Sequence, residues 1–324
     1  MRTGAAAQHH GYYHEAVRYD SDDELLAVVV PFLLGGVEAG EPTYVALGER
    51  TGALVRSALP AGCGVEFLPG GDVYARPASA IRLYRELLAA QVAAGARQIR
   101  ILGEVPPAAF DATWDWWARY ESAINHAYDD FPLWSMCAYD TRCTPPEVLA
   151  DVARTHPRFA TADGRHVPST TWTSPTDYLR ETRPVVPDPL QVEPPVVELT
   201  DPTAAEARAA VHKADRGQMS ADDVDDLVVA VSEIVTNALR HGRPPVLLRV
   251  WSGDDRIVAT VRDGGDGPGD PYCGLLPASG GAPGGLGLWI TYQSCSHVTW
   301  HRDGDGDGDG FTLRLTAGNP HAAH

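Results

Sequence analysis

The stretch Leu227–His241, LVVAVSEIVTNALRH, suits one regular conformation. Leu227, Val231, Ile234, Val235 and Ala238 recur at three- and four-residue spacing, which puts them on one face of a helix and makes that face core. Glu233, Asn237 and His241 follow one another at four-residue intervals, so they form a polar stripe beside the apolar one. Such a stripe borders a cleft rather than open water. Ser220 is placed to cap the helix, and Asp222, Asp223, Asp225 and Asp226 crowd the end where the helix dipole favours negative charge.

The stripe has the chemistry of a nucleotide site. Mg²⁺ on a triphosphate takes one or two hard oxygen ligands from protein, and the Asn237 side chain supplies one. One turn earlier, Glu233 is placed to orient a hydroxyl or water for attack on a terminal phosphate. His241 and Arg240 bring positive charge nearby. Two strands are expected next, Val246 to Trp251 and Arg256 to Arg262, the second running into Asp263-Gly264-Gly265-Asp266-Gly267. A carboxylate at a strand end accepts from the exocyclic amine of adenine, and glycines let backbone approach the base, which selects Asp263, Gly265 and Gly267. Gly284-Gly285-Leu286-Gly287-Leu288 then opens a second apolar helix whose free amides and dipole suit phosphates. Pro268 to Pro283, rich in glycine and proline, reads as a flap between the two clusters.

In that order, E-x-x-x-N-x-x-x-H, D-x-G-x-G and G-x-G-L resemble the asparagine box and two glycine boxes of the histidine-kinase-like ATPase superfamily. The compact SEIVTNALRHG form is most similar to the anti-sigma regulatory factors that act as serine/threonine protein kinases, and the resemblance runs from about Val196 to Thr316. It implies the Bergerat fold, an α+β two-layer sandwich. It also implies ATP and Mg²⁺ as cofactors, with Glu233 as catalytic base or orienter and Asn237 as the Mg²⁺ ligand. Asp263 would read adenine, with His241, Gly265, Gly267, Gly285, Leu286 and Gly287 completing the nucleotide contacts.

A chain of 324 residues is long enough for two domains with cores of their own. The net charge of −17 argues against broad binding to nucleic acid or anionic membrane and favours a partner with a basic surface. Five cysteines, Cys63, Cys137, Cys143, Cys273 and Cys295, form no metal-binding pair motif and suit a reduced cytoplasmic chain. Neither a secretory signal nor a membrane-length apolar run is expected, and the first ten residues read as disordered.

Upstream, strands and helices alternate. Strands are expected at Tyr13–Tyr19, Thr43–Leu47, Val65–Leu68, Gln98–Leu102 and Leu133–Tyr139, and helices at Asp22–Ala39, Thr51–Leu59, Ala78–Ala94, Asp111–Tyr128 and Pro146–Arg154. Such alternation implies a three-layer α/β domain with a mainly parallel sheet. Gly35-Gly36-Val37-Glu38-Ala39-Gly40 is not followed by the Lys-Ser or Lys-Thr of a phosphate loop. YYHEAVRYDSDDELLAVVVPFLLGGVEAGE, YVALGER, RILGEV and WSMCAYDT resemble the MEDS sensory domain, a RecA-like fold without the ATPase loop. Trp114, Trp116, Trp117, Tyr120 and Glu121 share one expected helix, while His14, Glu104, Cys137, Tyr139, Asp140 and His156 lie near strand ends. Together they are candidates for a sensing pocket, set against ordinary aromatic packing and an inert buried thiol.

Phe159 to Arg180 reads as irregular, and RPVVPDPLQVEPP as a stiff extended linker. The expected domains are therefore a sensory domain at 11–180, a linker at 181–195 and an ATPase domain at 196–317. The Asp-Gly repeat from Asp303 to Gly310 invites a calcium reading, but Arg314 stands where an EF-hand loop needs a bidentate Glu, so a flexible hairpin loop is expected.

The leading functional expectation is a cytoplasmic, signal-responsive regulator that binds Mg-ATP and phosphorylates a serine or threonine of a STAS-type antagonist, or engages a sigma factor. A small molecule or other signal at the N-terminal domain would control it. Dimerisation through the ATPase domain is common in the resembling family. The rival is a non-catalytic sensor that sequesters a partner protein, with ATP binding structural or lost, favoured by the lack of any cationic residue between Pro268 and Pro283. A sensor histidine kinase fits less well, because a proline-rich stretch stands where its dimerisation hairpin belongs and His212 is followed by Lys213.

Overall fold

The structure, a computed structural model, describes residues 2–68, 76–277, 286–303 and 310–319. The chain divides into two compact units, Met1–Ala75 with Ser79–Leu179, and Arg76–Ala78 with Arg180–His324.

In the first unit, β1 (Tyr13–Tyr19), α1 (Asp22–Glu38), β2 (Thr43–Ala46), α2 (Glu49–Ala58), β3 (Glu66–Phe67), α3 (Pro77–Ala93), β4 (Ile99–Gly103), α4 (Trp114–Ala127), β5 (Leu133–Asp140) and α5 (Pro146–Thr155) alternate as the sequence leads one to expect. β6 (Arg158–Ala160), β7 (His166–Pro168) and α6 (Pro175–Arg180) follow. The sheet order is β3-β2-β4-β5-β1-β6-β7, parallel throughout except for the last pair. Successive strand residues face opposite ways. Tyr13, Val17 and Tyr19 therefore join Leu25, Val29 and Leu33 of α1 in one apolar cluster. From the other side of β1, His14 reaches Glu121 on α4. The sheet is thus the middle of three layers.

Two expectations for this unit are overturned. Its first residues are ordered: Ala6 is fully buried, and Arg2 donates to Gln98 Oε1 at 2.8 Å and to the Leu133 carbonyl at 2.9 Å. Thr3 donates to Glu41 Oε1 at 2.7 Å and accepts from Arg100 at 2.7 Å. The segment orders because it completes the hydrogen bonding of a buried ion pair, Arg100 with Glu41, at 2.7 Å. The stretch from Phe159 is not irregular either. It extends the sheet by β6 beside β1 and turns back as β7, with Ala160 opposite His166.

The second unit contains β8 (Val197–Thr200), α7 (Ala204–Ala214), α8 (Ala221–His241), β9 (Leu247–Ser252), β10 (Arg256–Asp263), α9 (Gly287–Ser294), β11 (His297–Asp303) and β12 (Gly310–Gly318). Its antiparallel sheet runs β11-β12-β10-β9-β8. α8 lies against α7, α9, β10 and β12, with Leu227, Val231 and Val235 fully buried toward the sheet face that carries Leu248, Ala259 and Leu315. This is the two-layer α+β sandwich. Ser220 caps α8 by accepting from the Asp223 amide at 3.1 Å.

The proline-rich stretch is docked, not free. Residues Pro189–Val192 form a 3₁₀ turn behind an Asp188 cap. Asp188 takes two hydrogen bonds from Arg256, at 2.9 and 3.1 Å. Arg314 donates to the Val186 carbonyl at 2.7 Å, and the Trp251 indole to the Glu193 carbonyl at 2.8 Å. The prolines limit its conformations, while these buried donors decide where it lies. Residues 304–309 of the Asp-Gly repeat are outside the described residues, as are 278–285, which hold the end of the expected flap and the start of the second glycine cluster.

Candidate functional site

α8 ends at His241 because Gly242 leaves helical geometry, its amide still bonded to the Ala238 carbonyl. The last two turns thereby face the end of β10. There Ile234, Asn237, Ala238, His241 and Gly242 meet Val261, Asp263 and Gly267 around a cavity of about 230 Å³, with Leu288, Phe311 and Leu313 as further walls. The walls are largely apolar, with Asn237, His241 and Asp263 as the polar groups. That is the composition of a small-molecule site.

Asp263 is buried, and its orientation is set by backbone. Oδ1 accepts from the Gly265 amide at 2.6 Å and the Arg243 amide at 3.2 Å. Among the described residues Oδ2 makes no hydrogen bond, which leaves it as an acceptor. Gly242 is required here: a Cβ on it would lie 2.4 Å from Asp263 Oδ1 and 2.6 Å from the Ala238 carbonyl. Gly267 has φ +69°, and a Cβ there would meet the Phe311 ring at 2.4 Å. Gly265 likewise has no room for a side chain beside Asp263.

Glu233 and Asn237 are both partly buried and face the start of α9. A Cβ on Gly287 would lie 2.6 Å from Glu233 Oε2 and 3.3 Å from Asn237 Nδ2. Gly287 therefore lies against the polar stripe, with the amide end of α9 turned to it. Leu286 precedes that helix with half of its surface exposed. Gly285 lies outside the described residues. Gly242 and the Arg243 amide are site features that the sequence reading passed over. Their signal was the glycine directly after the helix-ending His241, where any side chain would collide with the carboxylate.

The sequence-selected residues of the first unit divide. Trp114, Trp116 and Trp117 are buried packing residues, Trp114 donating to Asp151 at 3.0 Å. Glu104 accepts from the Gly48 amide and the Thr51 hydroxyl, and Asp140 pairs with Arg142 at 2.6 Å. His14, Cys137 and His156 instead converge with Glu121. Burial pushes both imidazoles down to about 3 and the Glu121 carboxyl up to about 7. Beside them is a cavity of about 30 Å³, bordered by Tyr12, Tyr84, Tyr120 and Tyr128 together with Glu121 and Cys137.

An antiparallel sheet carrying a helix whose polar stripe meets a glycine-bounded carboxylate defines the second unit as a histidine-kinase-like ATPase domain. Residues 197–316 match the family model described as "Histidine kinase-like ATPase domain", and residues 13–157 match "MEDS: MEthanogen/methylotroph, DcmR Sensory domain". The chain is a fusion of these two domains. No curated protein matches it. No helix among the described residues is long and apolar enough to cross a membrane.

Proposed function

We propose that this chain is a signal-responsive regulator of the anti-sigma type: its C-terminal domain binds Mg-ATP and transfers the γ-phosphoryl group to a serine or threonine of a partner protein. The observation that carries the reading is the convergence of Asn237, His241, Asp263 and Gly267 on one cavity, with Gly287 set against Glu233 and Asn237. An apolar slot with one acceptor oxygen at its floor suits a purine bearing an exocyclic amine, with Asp263 Oδ2 as the reader. The Asn237 amide oxygen would hold Mg²⁺, which when bound neutralises charge on the phosphates. Glu233 would take the proton of the attacking hydroxyl as its oxygen bonds to phosphorus and ADP leaves.

The partner class that suits this chemistry is a STAS-type antagonist, with a sigma factor as the protein ultimately released or held. The excess of negative charge favours a basic partner surface. A cytoplasmic setting, without direct contact to nucleic acid, and dimerisation through the ATPase domain belong to the same reading. So do the domain limits of 11–180 and 196–317 about the linker.

A second reading, ATP binding without transfer and regulation by sequestration, is favoured by one observation. The segment from Pro268 to Pro283 contains no lysine, arginine or histidine to meet a γ-phosphate.

Calorimetry of Mg-ATP binding to wild type and Asn237→Ala, followed by a transfer assay on a STAS-domain substrate, separates the two. Binding weakened by Asn237→Ala, with phosphate transfer abolished in Glu233→Ala, is the expected result. Binding without transfer supports the sequestering regulator, and absence of binding overturns the Mg-ATP site and makes the three boxes a relic of ancestry.

A further inference from the structure

We propose that the N-terminal domain binds a divalent transition metal of the zinc class through His14 Nε2, Glu121 Oε2, Cys137 Sγ and His156 Nε2. The groups come from β1, α4, β5 and the residue after α5, and the four atoms lie within 4.8 Å of one another. Cys137 Sγ is 3.5 Å from His14 Nε2 and 3.9 Å from Glu121 Oε2. Glu121 Oε2 is 3.6 Å from His14 Nε2 and 3.4 Å from His156 Nε2. With metal–nitrogen bonds of about 2.0 Å and metal–sulfur bonds of about 2.3 Å, a tetrahedron has ligand-to-ligand edges of roughly 3.3–3.6 Å. Most of these separations are already close to that size.

The tautomers point the same way. Asn125 Nδ2 donates to the carbonyls of Glu121, Ser122 and Thr155 at 3.0, 3.2 and 2.8 Å, which fixes the amide and leaves Oδ1 facing His14 Nδ1 at 3.0 Å. An amide oxygen only accepts, so His14 Nδ1 carries the hydrogen and Nε2 presents a lone pair. His156 Nδ1 is 3.0 Å from the Val152 carbonyl, so the same holds for its Nε2. Both bare nitrogens thus face a carboxylate and a thiol in a region closed to solvent. His156 Nε2 makes no hydrogen bond among the described residues, and the residue is fully buried.

Without an ion, His156 Nε2 depends on a proton held by Glu121, and His14 Nε2 on the weak S–H donor of Cys137 at 3.5 Å. A metal ion satisfies all four donors at once. The Cys137 thiolate and the Glu121 carboxylate together neutralise a divalent cation, so the buried centre carries no net charge. Each histidine already has the outer acceptor that metal-bound imidazoles typically have, Asn125 for His14 and the Val152 carbonyl for His156. The adjoining cavity of about 30 Å³, bordered by Glu121 and Cys137, has room for about one water-sized ligand next to the ion. This inference concerns the other domain and does not depend on the ATP reading.

The test uses the full chain, produced in medium supplemented with zinc and, separately, with cobalt, and freed of loose ions by gel filtration. Elemental analysis is expected to find about one ion per chain. The cobalt form is expected to show the visible bands of a tetrahedral ion and a thiolate-to-cobalt charge-transfer band in the near ultraviolet. Cys137→Ser should lose the charge-transfer band, whereas Cys63→Ser and Cys143→Ser should keep it. Asn125→Ala, which spares every ligand, should weaken the metal by about tenfold to a hundredfold against a competing chelator. If Cys137→Ser does not fold, the wild-type cobalt spectrum still decides. A folded wild type without stoichiometric metal, or a cobalt form without thiolate charge transfer, overturns the proposal.

Discussion

Gly287 at the start of α9 and Glu233 in α8 are in such close contact that a Cβ on the glycine would lie 2.6 Å from the glutamate Oε2. The obstructed atom is the far end of a flexible side chain, so Gly287→Ala can be accommodated by turning Glu233 aside. Replacing a helical glycine by alanine also favours the helix, by up to about 1 kcal/mol. The variant is therefore expected to melt no lower than wild type while binding Mg-ATP about tenfold more weakly, a loss of about 1.4 kcal/mol. Thermal denaturation and calorimetry on the same samples check both halves. Unchanged affinity would remove Gly287 from the nucleotide site.

Asp263→Asn keeps an oxygen to accept from the Gly265 and Arg243 amides, so the fold should be retained. It replaces the remaining acceptor by an NH₂ donor. Affinity for ATP should fall about tenfold to a hundredfold, the cost of about 1–3 kcal/mol for a mismatched buried polar group. The preference for ATP over GTP should shrink as well. Competition between the two nucleotides on wild type and variant measures this, and a preserved preference would exclude Asp263 as the base reader.

Acid should weaken the second domain partly through Asp188. Burial alone would raise its carboxyl, but the hydrogen bonds from Arg256 and from the Leu190 amide outweigh burial and hold it below its ordinary 3.8. A carboxyl whose folded value is depressed contributes stability that is present above the unfolded value and is lost as pH falls through the folded one. Asp188→Asn removes an ion pair that is nearly closed to solvent, with Asp255 left as a second partner of Arg256. It should cost about 1–3 kcal/mol at neutral pH. The gap from wild type should narrow below pH 3.8. Denaturant titrations at the two pH values test the sign.

Arg100 and Glu41 form a buried pair in the first domain, closed over by Thr3 and Gln98. Glu41→Ala leaves the guanidinium uncompensated and should destabilise that domain by about 3–5 kcal/mol. Deleting the first residues up to Thr3 should cost less, because the pair itself survives. Comparison of the two unfolding curves checks the order, and equal losses would place the main support in the N-terminal segment.

What was legible in the chain was local or short in range. The periodicity of Leu227–Ala238, the cap at Ser220 and the glycines flanking Asp263 each act within a few residues, so α8, the end of β10 and the site they form could be read directly. The alternation of strand and helix specified a parallel sheet for the same reason. Strand order was another matter. β1 lies between β5 and β6, and only that placement brings His14 next to Cys137 and His156, with α4 laying Glu121 over them. No spacing in the sequence encodes that meeting, since its members are joined by packing across the sheet. The docking of the N-terminal residues and of the proline-rich stretch was likewise decided by tertiary structure. Neither segment carries the periodicity of a helix or strand by itself, and each becomes ordered because Arg100, Arg256 and Arg314 are buried elsewhere with hydrogen bonds to make.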